Sequence, residues 1–354
     1  MIRRAAWVTV LMSVAAALLI PFAFGGAETL SALGAFPLPA AGAIAAALVT
    51  SWLAKAAKFR LLCAHLRQRA TFASCFAVAL GCEVGFAATP AGLGGYAASI
   101  FLFGRRGIPA AGAAAIAAAD QVLDLVFFAF AVPAASLIAV RPDIHAPVSA
   151  ALVTVVLATA VIIAVLLRSF VLGGGRIGFS SGIWSLRILR PHRATLRRFS
   201  IDLKRHLREL LVIPPGLVMA VIVATSVQWL ARYAVLSVAM TGLGMPAPFM
   251  PLLLIQAVAL HAGQWTGVPG GVGGADVLLL QLLRPWGTPD HLAAAVVVWR
   301  IGTFHATLLG GAIAFGYLAA RNKPTGPTAV GTSPAQSMPP VATAKITQTT
   351  TALS

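Results

Sequence analysis

Apolar residues run through this chain in stretches of bilayer length, and the polar positions gather between them. Residues 5–24, 38–54, 110–132, 148–167, 214–240 and 292–320 each read as a helix that could cross a membrane, which takes about 20 apolar residues. The first follows a short basic lead, Met1 to Arg4, so it fits either an uncleaved first helix or a signal peptide, and we read it as the helix. Two further apolar stretches, 71–104 and 249–283, are interrupted by proline and closely spaced glycines. The piece from Pro90 to Gly104 is 15 residues, too short for an ordinary span, so each stretch reads as a re-entrant hairpin. The pattern predicts an all-α polytopic membrane protein of about six full spans plus two hairpins, one transmembrane domain over 1–321. Residues 322–354, rich in Pro, Thr, Ser and Ala without an apolar period, read as a disordered tail.

The two interruptions resemble each other. Pro90, Gly92, Gly94 and Gly95 fall on Pro269, Gly271, Gly273 and Gly274 at a constant offset, with Gly270 in the same break. After a one-residue insertion, Gly107 and Pro109 fall on Gly287 and Pro289. The chain therefore contains one unit twice: helix, hairpin, helix, over about 38–132 and about 214–320. Proline and glycine cannot continue a helix cheaply, and backbone freed at membrane depth is tolerable only where protein or a wet cavity satisfies it. Paired broken segments in two halves point to a transporter binding site.

Composition agrees with this reading. The chain is 59% hydrophobic and 10% charged, with a mean hydropathy of +0.90, outside the range of soluble domains. A net charge of +17 in a soluble chain would suggest nucleic acid, but here the basic residues sit between apolar runs, the positive-inside signature. Lys55, Lys58, Arg60, Arg67 and Arg69 mark the cytoplasmic end of the 38–54 run. Residues 168–211 form a second basic segment, with Asp202 the single acid before Arg208. Within it Leu196, Phe199, Leu203, Leu207 and Leu210 recur at helical spacing opposite Arg197, Lys204, Arg205 and Arg208. This describes a basic amphipathic helix on the membrane surface, or more plainly a solvated connecting helix. With both clusters inside, the first hairpin opens to the cytoplasm and the second outward, so the copies are inverted and both termini are cytoplasmic, in the inner membrane of the cell.

Ionisable residues inside apolar runs are costly, about 2.5–3.5 kcal/mol for Asp or Arg at a helix centre on the insertion scale, so each needs a partner or a wet cavity. They are Glu83, Asp120, Asp124, Arg232, His261, Asp276, Arg300 and His305. Asp120 and Arg300 occupy equivalent places in the two units, which suggests an ion pair closing a central cavity, with a substrate headgroup competing for Arg300. Asp120 and Asp124 lie one turn apart and share a helix face, to line a cavity or carry a proton. Asp276 can cap a half-helix or receive a cationic headgroup. Arg105 and Arg106 border the first hairpin, as phosphate ligands or as topology anchors. The histidines are isolated. Cys63, Cys75 and Cys82 have no metal-ligand spacing, and neither a catalytic triad pattern, a P-loop, a nucleotide fingerprint nor a zinc pattern is present. No cofactor and no metal is expected.

Pro269-Gly270-Gly271-Val272-Gly273, Asp276, Gly287-Thr288-Pro289 and Trp299-Arg300-Ile301-Gly302-Thr303-Phe304 resemble the second-half pattern of the lysylphosphatidylglycerol synthase transmembrane-region family, the flippase-like integral membrane proteins. Pro90 to Gly95, Gly107-Ile108-Pro109 and Asp120 to Leu125 are similar to its first-half motif, although Gly92, Gly95 and Asp120-Gln121 stand where the family often has charged residues. The resemblance implies a lipid translocase acting on membrane lipids, a charged-headgroup phospholipid or a polyprenyl lipid, and not on nucleic acid. Relatives that carry a soluble synthase domain are transferases; here only the polar tail follows Arg321, so transferase chemistry of that kind is not expected. The other readings are an intramembrane transferase on a polyprenyl or phospholipid substrate, with Asp120, Asp124 or Glu83 as acid or base, and a small-solute carrier.

Overall fold

The computed structural model describes residues 28–89, 92–138 and 193–321, with a few isolated positions in 15–23 and 154–165. The expected spans at 5–24 and 148–167, most of the basic loop, Pro90 and the tail lie outside the described residues. Among the described residues the elements are α1 (Glu28–Gly34), α2 (Leu38–His65), α3 (Phe72–Ala88), α4 (Leu93–Arg105), α5 (Ala110–Ile138), α6 (Arg193–Leu211), α7 (Pro215–Gly242), α8 (Phe249–Trp265), α9 (Gly274–Leu283) and α10 (Pro289–Arg300). A π-helical turn, Ile301–Ala306, then carries α10 into α11 (Thr307–Arg321). Among the described residues four stretches are long and apolar enough to cross a bilayer: Leu38–His65, Ala110–Ile138, Pro215–Gly242 and Pro289–Leu318.

Two of the boundaries follow from local chemistry. Pro39 occupies the first turn of α2, where its missing N–H would have had no partner, and Thr71 Oγ1 accepts the Ser74 N–H at the head of α3. The hairpins α3–α4 and α8–α9 turn in related ways. Thr89 Oγ1 donates to Gly85 O and accepts from the Gly94 N–H, both at 2.7 Å, while Thr266 Oγ1 donates to Gly263 O at 2.7 Å. The arms cross closely enough that a Cβ on Gly85 would lie 2.4 Å from Gly94 O.

The first helices of the two units, α2 and α7, run antiparallel. A Cβ on Gly242, at the end of α7, would lie 2.9 Å from the ring of Phe36 just before α2, whereas Val221 near the start of α7 packs in the cluster that holds Leu62 and Leu66. The core is split accordingly. One cluster joins Ile44, Leu48, Val235 and Ala239 to the open end of the second hairpin, Leu252 and Leu283. The other joins Phe59, Leu62 and Val221 to the open end of the first, Cys75 and Phe103. The hairpins thus enter from opposite ends, and their tips approach where Ala87 packs against Val272.

Two sequence expectations are corrected. The first long helix does not end at Ala54 but continues to His65, so Lys55 and Lys58 are not a flanking charge cluster; they are buried. The apolar face of α6 is covered by protein rather than lipid: Leu207 is buried, and Leu203 and Leu210 pack against the cluster containing Leu62 and Ile116. Its basic face remains outward, with Arg205 63% exposed at the side chain.

Candidate functional site

Between the hairpin tips and the long helices lies a cavity of about 390 Å³. Glycines from both tips form part of its wall, Gly92 from the first and Gly270 and Gly271 from the second. Gly270 has φ +67°, and a Cβ there would lie 2.4 Å from the ring of Phe304, so the backbone approach requires glycine. Phe304 belongs to the π-helical turn, a feature that often marks functional positions in helices.

Eight charged side chains meet around this space as three linked groups. Glu83 on α3 accepts from Lys55 Nζ (3.0 Å) and from Arg232 Nη1 (3.2 Å), whose Nη2 also donates to Thr303 O. Lys58 Nζ lies 2.6 Å from Asp120 Oδ1 and 2.7 Å from Asp124 Oδ1, and Trp229 Nε1 donates to the latter. Arg300 Nε donates to Asp276 Oδ1 at 2.5 Å, and its Nη1 reaches Gly270 O at 3.4 Å. Burial of charge at such depth is tolerable because each charge has an opposite partner.

Asp276 has both a capping and a pairing role. Its Oδ2 accepts the Gly273 N–H at the head of α9 while Oδ1 holds Arg300. The expected Asp120–Arg300 pair does not form. Lys58, projecting from α2 between Asp120 and Asp124, takes the first partner, and Asp276 takes the second. Equivalent positions in a duplicated sequence need not touch once nearer partners exist.

Of the candidate residues, Glu83, Asp124 and Arg300 line the cavity, while Asp120 and Asp276 lie behind the wall as their ion-pair partners. Gly94, Gly95 and Gly274 stand at close approaches within the hairpins and Gly273, with φ +86°, precedes α9; none of the four lines the wall. Arg105 and Arg106 end α4 at the open end of the first hairpin and line no part of the cavity. His261 Nδ1 donates to Ala257 O of its own helix, and His305 Nδ1 donates to Arg300 O. Among the described residues no cluster of three or more His, Cys, Asp or Glu side chains could hold a metal ion.

The sequence reading missed Lys55, Lys58, Gln228 and the Trp299–Gln256 pair, in which Trp299 Nε1 donates to Gln256 Oε1 at 3.1 Å. A signal for Lys55 existed. The displacement that puts Thr89 on Thr266 also puts Leu38 on Pro215 and Lys55 on Arg232, the two cations that share Glu83.

Long apolar helices, two hairpins entering from opposite ends and a charged cavity where the tips meet define a multi-pass α-helical membrane protein with an internal polar site. The chain belongs to the family described as the lysylphosphatidylglycerol synthase TM region, which it matches over residues 6–311. It is also similar to a protein described as a UPF0104 membrane protein from Archaeoglobus fulgidus, 23% identical over 283 residues that cover 78% of this chain and 85% of the relative.

Proposed function

We propose that the protein is a lipid translocase that carries a polar headgroup through the cavity between its hairpin tips while the acyl or prenyl tails stay in the bilayer. The observation that carries this is a charged, amide- and aromatic-lined cavity of about 390 Å³ within a bundle whose exterior is apolar enough for lipid. Family membership adds a lipid context. The antiparallel α2 and α7, and hairpins opening at opposite ends, support an inverted duplication, the architecture of many alternating-access carriers. Arg67, Arg69, Arg105 and Arg106 gather at the end where α6 docks. Positive-inside logic makes that end cytoplasmic, with both chain termini on the same side of an inner membrane.

The cavity is read as a carrier site rather than a catalytic one because its carboxylates are engaged by cations, which leaves none poised as a free acid or base. The test is headgroup accessibility in reconstituted vesicles carrying tail-labelled lipids. A translocase exposes inner-leaflet label to an impermeant quencher, and protein-free vesicles do not. If no lipid tested moves faster than in protein-free vesicles, the reading fails. If a lipid is converted to a new product in detergent, the intramembrane transferase replaces it.

A further inference from the structure

The eight charges around the cavity cancel in sum but not group by group. Glu83 stands against two cations, Lys55 and Arg232, so that group carries one positive charge in excess. Lys58 stands against two acids, Asp120 and Asp124, so that group carries one negative charge in excess. Lys55 and Lys58 are three residues apart on α2 and share a face, which sets the two excesses beside each other, where each offsets the other. Arg300 and Asp276 form a neutral pair of their own. The empty site is therefore balanced only as a whole. Any negative charge that enters with a ligand and engages Lys55 or Arg232 leaves the Lys58 group with an uncompensated charge at membrane depth, where such charge is costly.

The Lys58 group has a place for a proton. Both donors to Asp124, Lys58 Nζ at 2.7 Å and Trp229 Nε1 at 2.9 Å, engage Oδ1, which leaves Oδ2 open to one, and Asp124 lines the cavity. Asp120 lies behind it, 4% exposed. Its Oδ1 is 2.6 Å from the same Nζ, yet out of line for a hydrogen bond, and it is buried without a hydrogen-bond partner. A proton on Asp124 frees Lys58 to donate squarely to Asp120, so the group becomes one ion pair and one neutral acid. A metal cation has no such opening, because Nζ already fills the gap between the carboxylates. Among the described residues, the other titratable or charged groups facing these acids are Lys55 from α2, Cys82 and Glu83 from α3, Tyr96 from α4 and Arg232 from α7. On α8, His261 lies edge-on to Phe128, one turn beyond Asp124, and on α6 His206 engages Glu209 of its own helix. Glu83 is the other carboxylate in the cavity wall, and both its oxygens already accept from cations.

Building on the translocase reading above, we infer that Asp124 is a proton-binding site that couples transport to the pH gradient: the cavity takes up one proton on Asp124 for one negative charge bound against Lys55 and Arg232, whichever headgroup brings that charge. Proton and anion leave together, Lys58 again holds both acids, and the cycle moves no net charge across the membrane.

Tail-labelled phosphatidylglycerol, a monoanion, serves as the probe in vesicles with an imposed pH gradient. With one proton per lipid, a gradient of about one pH unit should distribute the probe about tenfold in favour of the leaflet facing the alkaline side. A potassium diffusion potential should leave that ratio unchanged. The inference is overturned, with translocation left standing, if the probe moves but stays evenly distributed, or if its distribution follows the potential or a sodium gradient instead. If nothing moves, the translocase reading fails, and a measurement without ligand decides the inference separately. Lys55→Gln removes one positive charge, which is electrostatically equivalent to an anion bound beside it. In detergent at neutral pH this variant should show the infrared carbonyl stretch of a protonated carboxyl, which the wild type lacks. Arg232→Gln removes an equal charge from the same group and should do likewise, and adding Asp124→Asn to either variant should abolish the band. Absence of the band from both single variants, or its survival when Asp124→Asn is added, overturns the inference.

Discussion

Removing Lys58 should be among the most damaging single changes in the molecule. Its side chain has no exposure, and the carboxylates of Asp120 and Asp124 that it holds are 6% and 13% exposed. Lys58→Met leaves two largely buried carboxylates one turn apart, each repelling the other. Breaking a buried ion pair by deleting one partner typically costs about 3–5 kcal/mol, since the abandoned charge stays buried. For a domain of a few hundred residues each kcal/mol lowers the melting temperature by about 2–4 °C, so a fall of order 10 °C is expected. Adding Asp120→Asn and Asp124→Asn to Lys58→Met removes the whole charge set, and such replacements are commonly near neutral. The triple variant should melt within about 4 °C of the wild type by the same conversion. The protein supplies its own assay, because Cys63, Cys75 and Cys82 are all buried and free, so a thiol-reactive fluorophore reports unfolding in detergent. The reasoning is refuted if Lys58→Met melts with the wild type, or if the triple variant melts as low as the single one.

Adjacent glycines in α11 provide a control for helix packing. A Cβ on Gly311 would lie 2.5 Å from Leu80 O, whereas on Gly310 the nearest atom is a flexible Leu80 methyl at 3.8 Å, so Gly311→Ala should lower the melting temperature while Gly310→Ala leaves it unchanged or raises it. Equal effects would mean that α3 and α11 are not so close. Because the native cysteines are buried, single cysteines can report topology against a silent background. Gly104→Cys, at the end of α4, should react with an impermeant maleimide from the cytoplasmic side and Arg284→Cys from the other. Reaction of both from one side would remove the opposed hairpins.

How much of this was legible in the sequence depended on the kind of signal. The hairpins were readable because Pro90, Gly92, Pro269 and Gly271 interrupt apolar runs too short to span, and the helices end within a residue or two of the expected points for the first hairpin. Helix length was misread where charge was used as a stop sign. Lys55 and Lys58 follow an apolar run, as cytoplasmic flanks do, and nothing local reveals that Glu83 from α3 and Asp120 and Asp124 from α5 come to meet them. The same limit explains Arg300. Equivalence across the repeat suggested Asp120 as partner, but an arginine pairs with the carboxylate that packing brings nearest, and the start of α9 brings Asp276. For α6 the hydrophobic period was right and only its partner wrong, since periodicity gives the apolar face but not whether lipid or protein covers it.

The two hairpins differ in the charge they supply, and this has a mechanical consequence. Lys55 and Arg232 take corresponding places on the antiparallel helices α2 and α7, yet both close on Glu83, an acid supplied by the first hairpin alone; α8, its counterpart in the second, contains none. If the first hairpin moves away from the bundle, two cations lose their counter-charge together, at a cost of about 3–5 kcal/mol for each pair broken in a dry site. If the second moves, Arg300 loses Asp276 while Glu83 stays bound. The two openings are therefore unequal in energy even with identical backbones. In either case the bundle left behind is short of negative charge, and a ligand that enters bearing such charge lowers the barrier, whereas a cationic one raises it.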